Sequence, residues 1–138
     1  LWEELPRLLE LHAHVSDHHG AQQPKLVTSL MLFTELQAVL MSHMRSEEKV
    51  LIPLSELDSA AASGVLPDGI TSQLTTHEHE HEQIGKLLSQ LRTLHNDFVP
   101  PENACRKQRA LLVRLAELEA DTHTHVFKEN HLLFPRLR

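Results

Sequence analysis

Leu26, Leu30, Phe33, Leu36 and Leu40 fall three or four residues apart, and the same rhythm continues through His43, Glu47 and Val50/Leu51. That spacing is one face of an α-helix. It predicts a helix from about Lys25 to Leu51, which Pro53 weakens and which leaves room for a last turn to Leu57. Trp2, Leu5, Leu8 and Leu9 place an earlier helix from about Leu1 to His18, closed by Gly20 and Pro24. Leu74, His77, His81, Ile84, Leu88, Leu91 and Phe98 mark a third, from Ile70 to about Phe98, which Pro100-Pro101 ends. Leu111, Leu115, Leu118, Thr122, His125, Glu129 and Leu132 mark a fourth, opening at Pro101 or Glu102 and running to about Phe134. Residues 58–69 are small and polar, with Gly64, Pro67 and Gly69, and read as the main loop. Four long helices with three connections predict an all-α, up-down-up-down antiparallel four-helix bundle, a single domain over residues 1–138.

Composition supports helices and narrows the chemistry. Apolar residues make up 41% of the chain but aromatic ones only 4%, and only 4 glycines occur, which disfavours a β-sandwich. The formal charge of −6, with no basic block, excludes a nucleic-acid groove. No apolar run is expected to span a bilayer, and no signal peptide is visible. The single cysteine, Cys105, excludes an internal disulfide framework and fits a reducing compartment, so a cytoplasmic location is expected. Helical spacing is already under way at Leu1, so the protein is expected to continue upstream, truncated here at its N-terminus.

The outlier is histidine, at 12 residues. His43 and Glu47 are four apart, as are His125 and Glu129. Residues i and i+4 of a helix share a face, so each pair aims an imidazole and a carboxylate at one spot. Counting from the loops at about 1.5 Å per residue puts His43, His81 and His125 at one depth to within about a turn. Polar side chains interrupting three Leu seams at one level are costly unless something pairs them, and a pair of metal ions would. The same count puts any ligand from the first helix at or before Leu1, and leaves His12 roughly 15 Å away from that level. Imidazole plus carboxylate suits iron, manganese or zinc, and oxygen bridges favour two irons.

These residues carry a family resemblance. The segments are Leu5-Pro6-Arg7-Leu8, His43 to Pro53, Glu80-His81-Glu82-Gln83-Ile84-Gly85, Phe98 to Cys105 and His125 to Arg136. The chain resembles the hemerythrin-like (HHE cation-binding) domain, and most closely the "repair of iron centres" (RIC) di-iron family. The resemblance covers essentially the whole chain. It implies His43, His81 and His125 as terminal iron ligands and Glu47 and Glu129 as carboxylate bridges of a non-haem, oxygen-bridged di-iron centre. It also implies a further histidine a few residues ahead of Leu5-Pro6, before Leu1, and a separate cysteine-bearing module that is absent here. Many members have an acid one turn before His43, where this chain has Val39. Hemerythrins use five histidines and bind oxygen reversibly; the resembled family uses four, and three are present here, so a more labile iron is expected.

Other residues read more plainly. His77, on the seam one turn from His81, is open to a supporting or alternative-ligand role, and His79 is expected in solvent. Glu80 and Glu82 are expected on a solvated rim, where Glu80 could assist iron entry. His12 is expected to be a satisfied core histidine, and His14, His18, His19, His95, His123 and His131 to decorate surfaces or helix ends. Cys105 reads as a small buried or capping residue, with a thiolate at the helix N-terminus as the alternative. Trp2 is expected to pack at an end of the bundle.

The expected function is a stress-response di-iron protein that repairs, or supplies iron to, iron–sulfur clusters damaged by nitric oxide or peroxide. That makes it an iron donor rather than a turnover enzyme. The alternatives are a hemerythrin-like oxygen or nitric-oxide carrier or sensor, and a di-iron nitric-oxide or peroxide reductase. Expected partners are iron–sulfur proteins or small diatomics, with neither nucleic acid nor membrane, and a homodimer is open.

Overall fold

The computed structural model describes residues 3–48, 70–133 and 135. Helix α1 spans Glu4–His19, α2 Lys25–Ser46, α3 Ile70–Leu94 and α4 Arg106–Lys128. α1 packs on α2 and α4, α2 on α3, and α3 on α4, closing a ring around one core. Cross-helix pairs run in opposite senses, Ser29 with His95 and His43 with His81, then Arg92 with Glu119 and His81 with Glu129. The neighbours are therefore antiparallel, and the described residues contain no strand. This is the expected four-helix bundle. Trp2, Val50/Leu51, the weak point at Pro53, the turn to Leu57, the 58–69 loop and Phe134 lie outside the described residues.

The seams do the packing. Leu5, Leu26, Phe33, Leu36, Leu40, Ile84, Leu91, Leu111, Leu112 and Leu115 are fully buried, each removing apolar surface worth about 2 kcal/mol. By length and composition alone, α2 is long and apolar enough to cross a bilayer. The expectation that no run approaches that length therefore fails on composition. The cause is the inward Leu seam added to exposed Val27 and Met31, and the seam itself packs into the bundle.

Two helix ends differ from the expected ones. α3 stops at Leu94, not Phe98, because Asn96, Asp97 and Phe98 take left-handed φ values of 51°, 57° and 63°. Phe98 is still buried, so its place in the apolar pattern is tertiary rather than helical. Arg92 braces this turn: its guanidinium lies 5.3 Å from the Phe98 ring centroid and donates to Glu119 at 2.7 Å. α4 opens at Arg106, not Pro101 or Glu102. Cys105 is its N-cap, and its Sγ accepts from the Gln108 N–H at 3.4 Å.

Candidate metal centre

Both His-x-x-x-Glu pairs sit where an α-helix widens. The Glu47 N–H is shared between the His43 and Met44 carbonyls, and the Glu129 N–H between those of His125 and Val126. Each glutamate also begins a π-helical turn, running Glu129–Leu133 on the α4 side. Such widenings concentrate at functional sites because they re-aim side chains. Here both carboxylates turn into the bundle, where Glu47 is 6% and Glu129 2% exposed.

The five side chains singled out in the sequence meet. One donor atom each from His43, Glu47, His125 and Glu129 lie within 4.8 Å of one another. His43 Nε2 stands 3.0 Å from Glu129 Oε1, 3.5 Å from Glu47 Oε2 and 3.2 Å from His81 Nε2. His125 Nε2 reaches Glu47 Oε2 at 3.1 Å and Glu129 Oε1 at 2.5 Å, and His81 Nε2 touches Glu129 Oε2. Two ligands each about 2.1 Å from a shared ion stand about 3.0–3.4 Å apart at octahedral or tetrahedral angles. Most of these separations fall in or close to that range, so the donor set fits metal ions. Among the described residues α1 adds no donor to this cluster. The first-helix ligand expected at or before Leu1 lies outside them.

Charge is arranged unevenly. Burial opposes ionisation of Glu129, but hydrogen bonds from His125, His43 and His81 overcome it and hold this carboxyl far below its ordinary range. Burial and the adjacent Glu129 push Glu47 up, against the pull of His125. His125 is raised to about 10 by its bonds to Glu129 and Glu47. Burial depresses His43, yet the Glu129 hydrogen bond and the charges of Glu129, Glu47 and Glu80 leave it raised. Without metal the cluster is a nest of protons held between imidazoles and acids.

Around it, the sequence reading holds in places and fails in others. His79 and Glu82 are exposed, as expected. Glu80 is not a solvated rim residue: its side chain is 18% exposed and Oε1 lies 3.5 Å from His43 Nδ1. His77 is buried, its ring 4.3 Å from that of His43 and its Nε2 3.2 Å from Ser46 Oγ. Burial, then the charge of His43, lowers His77 to about 4. His12 is a buried core histidine, bonded through Nε2 to Ser29 Oγ at 2.7 Å. His95 does not decorate a surface: it is 2% exposed and bonds the same hydroxyl at 2.6 Å. Ser29 lies fourteen residues before His43, about 21 Å along α2, so this second polar cluster is separate. Ser29 on an apolar face was the available signal for it.

Among the described residues a groove touches the cluster at His81. It has a volume of about 280 Å³, lies between α3 and α4, and runs from His81 past Ile84, Leu88, Val126 and Phe127.

A buried double His-x-x-x-Glu in a four-helix ring is matched by a known family: the hemerythrin HHE cation-binding domain covers residues 3–137. The chain belongs to that family. Among relatives of this HHE domain, the iron-sulfur cluster repair protein YtfE of Edwardsiella ictaluri (strain 93-146) is 34% identical over 134 residues, 97% of this chain and 58% of the relative. The iron-sulfur cluster repair protein ScdA of Staphylococcus haemolyticus (strain JCSC1435) is 31% identical over 136 residues, 96% of this chain and 58% of the relative. A probable iron-sulfur cluster repair protein of Haemophilus influenzae is 27% identical over 135 residues, 98% of this chain and 57% of the relative. The HHE domain here thus spans somewhat over half the length of these curated relatives.

Proposed function

We propose that this HHE domain holds a non-haem di-iron centre and serves an iron–sulfur cluster repair protein of the nitrosative and oxidative stress response, acting in the cytoplasm. In this reading Glu47 and Glu129 would bridge two ions, which their clustering with His43 and His125 supports. His43, His81 and His125 would cap them, a role their contacts with the two carboxylates and one another support. The observation that carries the reading is the convergence of three Nε2 atoms on two buried carboxylates, in a chain 34% identical to an iron–sulfur cluster repair protein.

Iron in such a site supplies redox-active positions open to a diatomic, peroxide or water. The residues set how tightly it is kept. His125 is 32% exposed where His43 is 1%, so one side of the cluster is within reach of solvent. The test is iron transfer from loaded protein to an apo iron–sulfur acceptor, compared with transfer to a chelator of similar affinity. Faster delivery to the acceptor supports donation, and equal rates count against it.

The apolar groove ending at His81 favours a second reading, a carrier or sensor of oxygen or nitric oxide. It predicts a reversible change in the visible spectrum when the reduced protein meets the gas. Sustained consumption of nitric oxide or peroxide with a supplied reductant would instead mark a reductase.

A further inference from the structure

Threonine hydroxyls inside helices often settle on the carbonyl four residues back. Thr34, Thr76 and Thr124 do so, at 2.8, 2.9 and 3.1 Å. Thr122 does not. It is 1% exposed, and its Oγ1 is buried with no hydrogen-bond partner among the described residues. A buried hydroxyl left unpaired costs stability, so its place in the core needs a reason. Thr122 lines the groove between α3 and α4, one turn before His125. Ile84, Leu88 and Val126 give that groove apolar walls, and among the described residues no Asp, Glu, Lys or Arg lines it. At its outer edge Phe127 and His131 are exposed, their ring centroids 4.3 Å apart. Across it on α3, a Cβ at Gly85 would meet nothing within 4 Å, so the space there is open.

We propose that this groove is a binding site for an uncharged aromatic molecule bearing one hydroxyl, a phenol in its simplest form, with Thr122 Oγ1 as its polar anchor. Each part of that ligand answers a feature of the wall. Apolar sides without a counter-charge penalise an ion, which would lose its hydration with nothing in return. The volume of about 280 Å³ is many times the roughly 30 Å³ share of one water, so the groove has room for a ring and not merely for a diatomic. A ring can stack on, or meet edge-on, the Phe127–His131 pair. A ligand hydroxyl can donate to Thr122 Oγ1 or accept from it, which removes the penalty on the unpaired group. The occupant sits beside His81, which lines the same groove. The site is anchored on no metal ligand, so it stands apart from the iron reading.

The experiment titrates the full chain with phenol and with benzene, the same ring without the hydroxyl, and follows the methyl resonances of Thr122, Ile84, Leu88 and Val126 by NMR. Phenol is expected to shift them with a Kd of about 1 mM, and benzene to bind about tenfold more weakly. Thr122→Val keeps the shape and removes the hydroxyl. It should weaken phenol about tenfold, leave benzene unchanged, and keep or raise the denaturant midpoint. Gly85→Leu fills the groove from α3 without displacing a neighbour, and should abolish binding of both at unchanged helicity. Equal binding of phenol and benzene, equal phenol affinity in Thr122→Val, or binding undisturbed by Gly85→Leu overturns the proposal. So does a wild type that shows no shift, which would leave the hydroxyl to water alone. A lower midpoint in Thr122→Val overturns it too, because the hydroxyl would then have a partner inside the protein. Failure of the iron reading shows separately, as protein that holds no iron.

Discussion

Glu129 is the residue on which the centre turns, since His43, His81 and His125 all bond to it. Replacing it with Gln keeps the shape and removes the charge, and the same holds for Glu47→Gln. Each change is expected to weaken iron binding about 10- to 100-fold, read by competition with a chelator. The protons the cluster holds set the pH response. His43 and His125 are both raised, His125 to about 10, so near neutral pH an incoming ion must displace protons from them. Lowering the pH strengthens that competition. Iron affinity is expected to rise steadily from pH 6 to pH 8, with protons released on loading in weakly buffered solution. Flat affinity over this range would contradict the proton placement. The duplicated His-x-x-x-Glu and His81 were legible in the sequence because four-residue spacing fixes a shared helix face. Glu80 was not, because whether a residue flanking His81 turns outward or towards His43 depends on how α2 and α3 are rotated against each other.

Helices were legible where the Leu rhythm runs unbroken and illegible at their ends. Phe98 keeps the spacing but reaches the core from a left-handed turn, so periodicity carried the expected α3 four residues too far. The π-helical turns that begin at Glu47 and Glu129 leave no mark in residue type. Ser29 ties three elements together: α1 through His12, its own α2, and the turn after α3 through His95. A hydroxyl can donate to one imidazole and accept from the other, so the two rings take complementary tautomers. Ser29→Ala leaves both imidazoles unsatisfied in the core and is expected to cost about 2–4 kcal/mol, seen as a lower denaturant midpoint. Iron content should not change, because the metal cluster lies about 21 Å away along α2. Iron loss at retained helicity would show that the two clusters are coupled.

At the scale of the whole molecule, the two clusters respond to acid by separate routes. Burial lowers His12, with His95 beside it, to about 4, and lowers His95, with Lys25 nearby, to about 4. The unfolded chain takes up these protons near pH 6.5 and the folded chain only near pH 4, so the native state is favoured above pH 6.5. That advantage is lost as pH falls from about 6.5 to about 4, and amounts to a few kcal/mol for the pair. Metal-free protein should show this loss in denaturant titrations, and His95→Asn should flatten the slope. Loaded ions bind only the folded ring of helices, so at saturation the melting temperature should rise by about 10 °C and fall back on chelation. The all-α bundle followed from four periodic stretches. The most direct test of the centre is anaerobic iron quantification on wild type beside the Glu47→Gln, Glu129→Gln double variant, with helicity checked in both. Close to two irons per chain in wild type, and a loss of most of that iron from an equally helical double variant, is the predicted result. Iron-free wild type, or equal iron in both proteins, would contradict it.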